Sequence, residues 1–113
     1  LLHTHGSTLF EGRRRRGLQL LECFPTSTWR ASGLKPLPGK GKKPSLGPFV
    51  SALRRAYRLP PLQVRSHDDL QAVVAALCAA GAMGGPCSAA AHGVPARTAG
   101  GHRVEGFIWN AQP

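Results

Sequence analysis

The stretch SHDDLQAVVAALCAA, at residues 66–80, decides how the rest of the chain can fold. Its larger apolar residues recur at the spacing of one helical face, at Leu70, Val73, Val74, Leu77 and Cys78. Ser66 is placed to cap the first turn, and Asp69 is placed to reach back towards it as in a capping box. The alanines favour helix and let neighbouring elements approach closely. We therefore expect a helix that packs on a sheet.

Asp68 and Asp69 are the only charged residues of this predicted helix, and both lie in its first turn. One interpretation is structural, because acids in a first turn interact with free N–H groups and the helix dipole, worth about 0.3–1 kcal/mol each. The other is chemical, because a rigid helix tip holds a carboxylate where a divalent metal can bind it. The helix alone leaves both interpretations open.

Positive charge is concentrated in the first part of this chain of 113 residues. Residues 1–65 carry 13 Lys and Arg against Glu11 and Glu22, whereas residues 66–113 carry two basic and three acidic residues, which gives +10 overall. A basic half suits a polyanion such as nucleic acid, since neutralised phosphates release counterions. The alternative is a compositional bias expressed as solvated surface.

Composition also bears on the compartment. No apolar run approaches the roughly 18 residues that a membrane span needs, so we expect no membrane partner. Cys23, Cys78 and Cys87 form no CxxC pair and lack the spacing of a zinc site. Reduced thiols fit a cytoplasmic protein.

Residues 18–24, LQLLECF, predict a buried strand because they are almost continuously apolar and are followed by Pro25. Glu22 is unusual in that setting. A carboxylate in a buried strand is costly unless it is paired, hydrogen-bonded or bound to metal, although it can also point outward at a sheet edge.

The remaining elements are predicted from caps and periodicity. Residues 1–17 are expected to be a basic, irregular lead-in, and residues 25–32 a short helix closed by Gly33. Ser45 is expected to cap a second helix through about residue 58. We expect a loop at residues 81–101 and a closing strand at residues 103–109, with Phe107 and Trp109 on one face. The order of elements predicts an α/β layer with packed helices.

Two basic segments are candidates for phosphate contact. The first is Arg13, Arg14, Arg15 and Arg16, and the second is the Pro/Gly-rich loop with Lys40, Lys42 and Lys43. Neither has the GxxxxGK[ST] spacing of a nucleotide-binding loop.

Three motifs occur in a recognisable order: ECFPTSTWRASGLKPLPGK at residues 22–40, SHDDLQAVVAALCA at residues 66–79, and RVEGFIW at residues 103–109. Together they resemble the later half of the domain-of-unknown-function 429 family, whose members are predicted RNase H-like nucleases. The resemblance covers roughly residues 18–110. It implies that residues 18–113 are the carboxyl-terminal part of one RNase H-like domain.

In that fold, carboxylates from strands and a helix bind Mg²⁺ or Mn²⁺ and hydrolyse phosphodiester bonds of DNA or RNA. By position, the resemblance implies that Glu22 and Asp68 are metal ligands and catalytic residues, with Asp69 as a helper or cap.

The chain departs from the family pattern at two places. Gln71 stands where the family has a second Asp, and the opening strands with their leading Asp would precede Leu1. We therefore expect a partial RNase H-like layer that lacks its first strands, a fragment of a metal-dependent nuclease. The alternatives are a non-catalytic basic nucleic-acid-binding domain and an inactive truncated copy.

Overall fold

The computed structural model describes residues 8–13, 16–99 and 102–113. Its helices are α1 (Pro25–Ala31), α2 (Gly47–Tyr57) and α3 (His67–Ala82), and a 3₁₀ turn spans Lys40–Lys42. Its strands are β1 (Thr8–Leu9), β2 (Gln19–Leu20), β3 (Ser88–Ala99) and β4 (His102–Gln112). The fold is therefore α/β, as expected.

β3 and β4 form an antiparallel hairpin, and β1 and β2 form a short parallel pair. A parallel bridge between Glu22 and Ile108 joins the two pairs, and the Trp109 N–H donates to the Glu22 carbonyl at 2.8 Å. α3 packs against both strands of the hairpin, and α1 packs against β4 and α3. The observed layers are thus α1 and α3 on a two-stranded antiparallel sheet, and α2 contributes Leu53 to the same core.

The long helix is confirmed, and it supplies much of the core. Leu70, Val74, Leu77 and Cys78 of α3 are buried, and Val73 packs at the edge of the core. The core contacts come from the other two helices, the loop before the 3₁₀ turn and β4, at Trp29, Leu37, Leu53 and Ala111. The short helix α1 is confirmed as well, with Pro25 at its start and Gly33 after its end at φ 74°.

The predicted loop at residues 81–101 is wrong, because most of it is β3. Its alanines and glycine have low strand propensity and no apolar–polar alternation, so pairing with β4 decides the conformation. Pro95 lies at the register shift between Val94 and Arg97, where a bulge tolerates a residue without an N–H. Gly93 has φ 108°, and a Cβ there would lie 2.9 Å from the Gly106 carbonyl oxygen.

The buried strand predicted at residues 18–24 is also wrong in length and burial. β2 contains only Gln19 and Leu20, while Leu18 and Phe24 are 65% and 52% exposed. The apolar run has one two-residue partner strand and a single bridge to β4, which is too little to bury it.

The predicted lead-in contains β1, and it contributes to packing. Phe10 is buried against Trp109, with ring centroids 4.9 Å apart. In the described part of the chain, no helix is long and apolar enough to cross a membrane.

The two predicted caps differ in outcome. The Ser66 hydroxyl accepts a hydrogen bond from the Asp69 N–H at 3.1 Å and caps α3. Ser45 does not cap α2, which begins at Gly47 after Leu46 without a side-chain cap. The Gly-Pro start of α2 displaces the helix beginning beyond the reach of Ser45.

We expect Ser66→Ala to lower the free energy of unfolding by about 1 kcal/mol, because it removes the acceptor for a free helix N–H. Urea unfolding followed by circular dichroism measures this loss. Ser45→Ala is the matched control, with an expected change within about 0.5 kcal/mol. Equal losses in the two variants would contradict the assignment of Ser66 as the cap.

Candidate nucleic-acid interface

The amino-terminal end of α3 carries an exposed ion pair. The Lys40 Nζ lies 2.7 Å from the Asp68 Oδ2, and both side chains are largely exposed. The hydrogen bond and charge of Lys40, with a smaller contribution from His67, lower the pKa of Asp68. Asp68 is therefore ionised at neutral pH, and the pair weakens only as pH falls below the ordinary aspartate range.

Lys40 belongs to a segment that we call the lysine loop (residues 40–43), which is fixed beside α3. The buried Leu37 anchors the chain just before it. The His67 Nε2 donates to the Pro38 carbonyl at 2.8 Å, since a carbonyl oxygen can only accept. Lys40, Lys42 and Lys43 are exposed, and Lys43 takes the left-handed conformation at φ 46°. The loop thus presents three cations on a constrained backbone.

Asp69 has a structural role in this geometry. Its Oδ2 accepts from the Arg65 N–H at 3.0 Å, while its own N–H donates to Ser66. The Asp69 carboxylate was predicted to contact the cap residue Ser66, and it contacts the backbone N–H of the preceding residue, Arg65, instead. Because the exposed Arg65 is held there, a fourth cation lies close to the tip of α3.

Gln71 is engaged away from the tip. Its Oε1 accepts from the Trp29 Nε1 at 3.0 Å, which ties α3 to α1. Gln71 therefore makes a hydrogen bond at the edge of the core.

Glu22 lies in a different part of the molecule from the ion pair. Its side chain is exposed, and the following residue, Cys23, packs against the core cluster that contains Cys78. Burial and the neighbouring Cys78 raise the pKa of the Cys23 thiol to about 11. Asp68 and Cys78 are separated along α3 by about 15 Å at 1.5 Å per residue. The structure brings Lys40, His67 and Asp68 together without Glu22.

The donor groups do not fit a divalent metal. Within residues 8–13, 16–99 and 102–113, no three His, Cys, Asp or Glu side chains are grouped so as to hold one. The Asp68 Oδ2 is occupied by Lys40, and the Gln71 oxygen by Trp29.

The arginine run is described in part. Arg13 and Arg16 are exposed, and the Gln19 Nε2 donates to the Arg13 carbonyl at 3.1 Å. Arg14 and Arg15 lie outside the described residues.

Sequence reasoning missed Arg65 and His67 as parts of the α3 tip. Both residues are adjacent to the predicted cap, Ser66, and this adjacency was enough to place Arg65 at the tip. The contact of His67 with Pro38 joins residues 29 positions apart, and no local pattern predicts it.

Comparisons of the chain with protein families, curated proteins and solved structures found no match. The resemblance carried by the three motifs therefore stays a prediction.

Proposed function

We propose that this chain binds nucleic acid without catalysis, by contacting the phosphate backbone with the lysine loop and Arg65. The observation that carries the proposal is the constrained, exposed cation cluster at the tip of α3. Phosphate oxygens accept hydrogen bonds and charge from such groups, and each neutralised phosphate releases counterions.

The distribution of charge supports the same proposal. Among the Lys and Arg side chains whose exposure is described, Arg54 is half-buried and the others are exposed. In that part of the chain, Lys40 is the one Lys or Arg that is ion-paired with a carboxylate. The surface cations are thus available to a polyanion, whose field acts over about 8–10 Å at physiological salt.

The supporting features favour binding that is insensitive to base sequence. Among the described aromatic side chains, Phe24 is the largely exposed one, so base stacking contributes little. We infer that the α/β layer belongs to the RNase H-like layer that the resemblance implies, acting in the cytoplasm as a binding surface.

We expect the affinity for a duplex or single-stranded oligonucleotide to fall steeply with salt and to be unchanged by Mg²⁺. The double variant Lys42→Ala/Lys43→Ala should reduce the slope of log K against log salt by about 1–2 and weaken binding equally for unrelated sequences. Fluorescence anisotropy from 50 to 200 mM salt measures both quantities.

The matched control is Arg30→Ala/Lys35→Ala, which removes the same charge from exposed positions outside the lysine loop. A smaller change in slope is expected for it. Equal effects of the two double variants would assign binding to net charge instead of the loop, and a flat salt dependence would remove the proposal.

A second candidate is the metal-dependent phosphodiester hydrolysis implied by the resemblance. It is supported by the exposure of the Glu22 and Asp68 carboxylates and by the lowered pKa of Asp68, which keeps that group in the form that cations bind. Because the donor groups described above do not fit a metal, we assign no catalytic step to them.

Cleavage of a labelled oligonucleotide with Mg²⁺ or Mn²⁺ tests this candidate. If this candidate is correct, Asp68→Asn and Glu22→Gln each abolish cleavage. Both side chains are exposed, so the two variants are expected to remain folded. Absence of metal-dependent cleavage, or cleavage that survives both substitutions, would reject it.

A further inference from the structure

The carboxylate of Asp68 lies among the cations of the proposed nucleic-acid interface. Its Oδ2 is 2.7 Å from the Lys40 Nζ, which is the distance of a charge-assisted hydrogen bond. The side chains of Asp68 and Lys40 are 70% and 69% exposed, so the pair faces the solvent from which a polyanion approaches. At this place Asp68 offers Lys40 the same negative charge and acceptor oxygens that a phosphate offers.

Two constrained stretches of main chain hold this pair together. Asp68 lies in the first turn of α3, next to His67, whose Nε2 donates to the Pro38 carbonyl at 2.8 Å. Lys40 begins the 3₁₀ turn two residues after Pro38. The contact between His67 and Pro38 therefore keeps the Lys40 amine within reach of Asp68. Because both main chains are already fixed, pairing costs less conformational entropy than it would between two mobile segments.

Asp68 and Asp69 differ in what their carboxylates hold. The Asp69 Oδ2 accepts from the Arg65 N–H at 3.0 Å and so fixes the main chain before the cap. In the part of the chain that the structure describes, the polar partners of the Asp68 carboxylate are Lys40 and, at 3.8 Å, the His67 Nδ1. Apart from the helix dipole, the observed interactions of Asp68 are therefore with side chains of the interface.

We propose that Asp68 is an internal competitor for phosphate, which withholds Lys40 from nucleic acid and limits the affinity of the interface. This inference rests on the proposed function. Within residues 8–13, 16–99 and 102–113, no carboxylate forms an ion pair with Lys42, Lys43 or Arg65, so these cations contact phosphates without giving up a partner. Lys40 would have to leave Asp68 first, and the bare carboxylate would then repel the phosphate.

A purely structural role for Asp68 has different consequences. An acid in the first turn of a helix stabilises the helix through its dipole, so its removal would lower stability and leave the salt dependence of binding unchanged. Removal of a competitor instead adds one cation to the contact with phosphate. The number of phosphates neutralised, which is read from the salt dependence, separates the two roles.

Fluorescence anisotropy of a labelled oligonucleotide from 50 to 200 mM salt, without divalent metal, tests the proposal with Asp68→Asn. The released Lys40 adds about one phosphate contact, so the slope of log K against log salt should steepen by about 0.7–0.9. The affinity at 100 mM salt should rise by about two- to fivefold, the size of effect that an exposed ion pair has. Asp68→Glu, which keeps the charge, should bind as the wild type does.

Two further variants separate the competitor from net charge. Glu22→Gln removes the same charge from an exposed position in a different part of the molecule, and its slope should equal that of the wild type. Lys40→Ala should reduce the slope by about 0.7–0.9 in the Asp68→Asn protein and leave it nearly unchanged in the wild type, where Lys40 makes no phosphate contact.

The outcomes distinguish this inference from the proposed function. Suppose that wild-type binding depends on salt and is weakened by Lys42→Ala/Lys43→Ala. Equal slopes for the wild type and Asp68→Asn then overturn the inference and leave the proposed function intact. The same steepening in Glu22→Gln assigns the effect to net charge and also overturns the inference. Wild-type binding that does not depend on salt overturns the proposed function, and the inference with it.

Discussion

Replacing Trp29 by alanine is expected to lower the free energy of unfolding by about 3–5 kcal/mol, the range for removing a buried large aromatic side chain. Trp29 is 1% exposed and lies in the core cluster. Its ring meets Phe49 edge to face, with centroids 6.0 Å apart at 84°. The free energy of unfolding of a single domain is about 5–15 kcal/mol, so this one change removes a large part of the stability.

The loss has two components that can be separated. Besides its packing, Trp29 donates to the Gln71 side chain at 3.0 Å, so truncation also leaves that amide oxygen without its donor. Trp29→Phe retains most of the ring packing and loses the hydrogen bond, and we expect it to cost less than Trp29→Ala. Gln71→Met in the Trp29→Phe background should cost less than in the wild type, because the hydrogen bond is already absent.

Urea unfolding monitored by circular dichroism measures these variants, with Phe24→Ala as the control. Phe24 is an aromatic residue of the same segment, but it is 52% exposed. Its truncation should change the free energy of unfolding by about 0.5 kcal/mol or less. A Trp29→Ala protein as stable as Phe24→Ala would show that Trp29 is not a central core residue.

The helices were predictable because their signals are local. In α3 the cap at Ser66, the spacing of the apolar residues and the absence of a breaker all lie within the helix. For α2 the same reasoning was wrong only about the first residue. Ser45 was predicted to cap the helix, but the helix begins at Gly47-Pro48 without a side-chain cap. Local chemistry therefore accounts for helix existence, and neighbouring turn chemistry for the exact beginning.

The strands depend on partners that are distant in the sequence. β3 is rich in alanine and gains its conformation from the ladder with β4. Residues 18–24 have the composition of a buried strand, yet a strand is buried only between flanking strands. This segment pairs with one two-residue strand and makes one bridge to β4. Composition measures the capacity for burial, whereas topology determines whether burial occurs.

In the candidate site too, the local features were predictable and the long-range contacts were not. Asp68 and Asp69 could be placed at the helix tip from the sequence, and the structure places them there. The Lys40 contact joins residues 28 positions apart, so its effect on Asp68 has no local signal. The residues of the helix left the role of Asp68 open and the resemblance implied a metal ligand, whereas the structure gives Asp68 a lysine partner.

Gly81→Ala is the second substitution with a large expected effect, and its sign is opposite to the usual one. Gly81 is buried near the end of α3, where a Cβ would lie 2.5 Å from the carbonyl oxygen and 2.6 Å from the carbonyl carbon of Ser88. These are backbone atoms at the start of β3, so relief of the clash requires the hairpin to move away from α3. We expect a loss of about 1–3 kcal/mol, the range for overpacking a well-packed core.

Gly41→Ala is the matched control, because Gly41 lies in the 3₁₀ turn, is followed by a residue other than proline and has no atom within 4 Å of a Cβ position. Alanine is favoured over glycine in helices, so this variant should be unchanged or more stable by up to about 1 kcal/mol. Thermal unfolding of the two variants should therefore shift the midpoint in opposite directions, or down for Gly81→Ala alone. If Gly81→Ala were as stable as the wild type, α3 and β3 would not be in the close contact that carries the helix onto the hairpin.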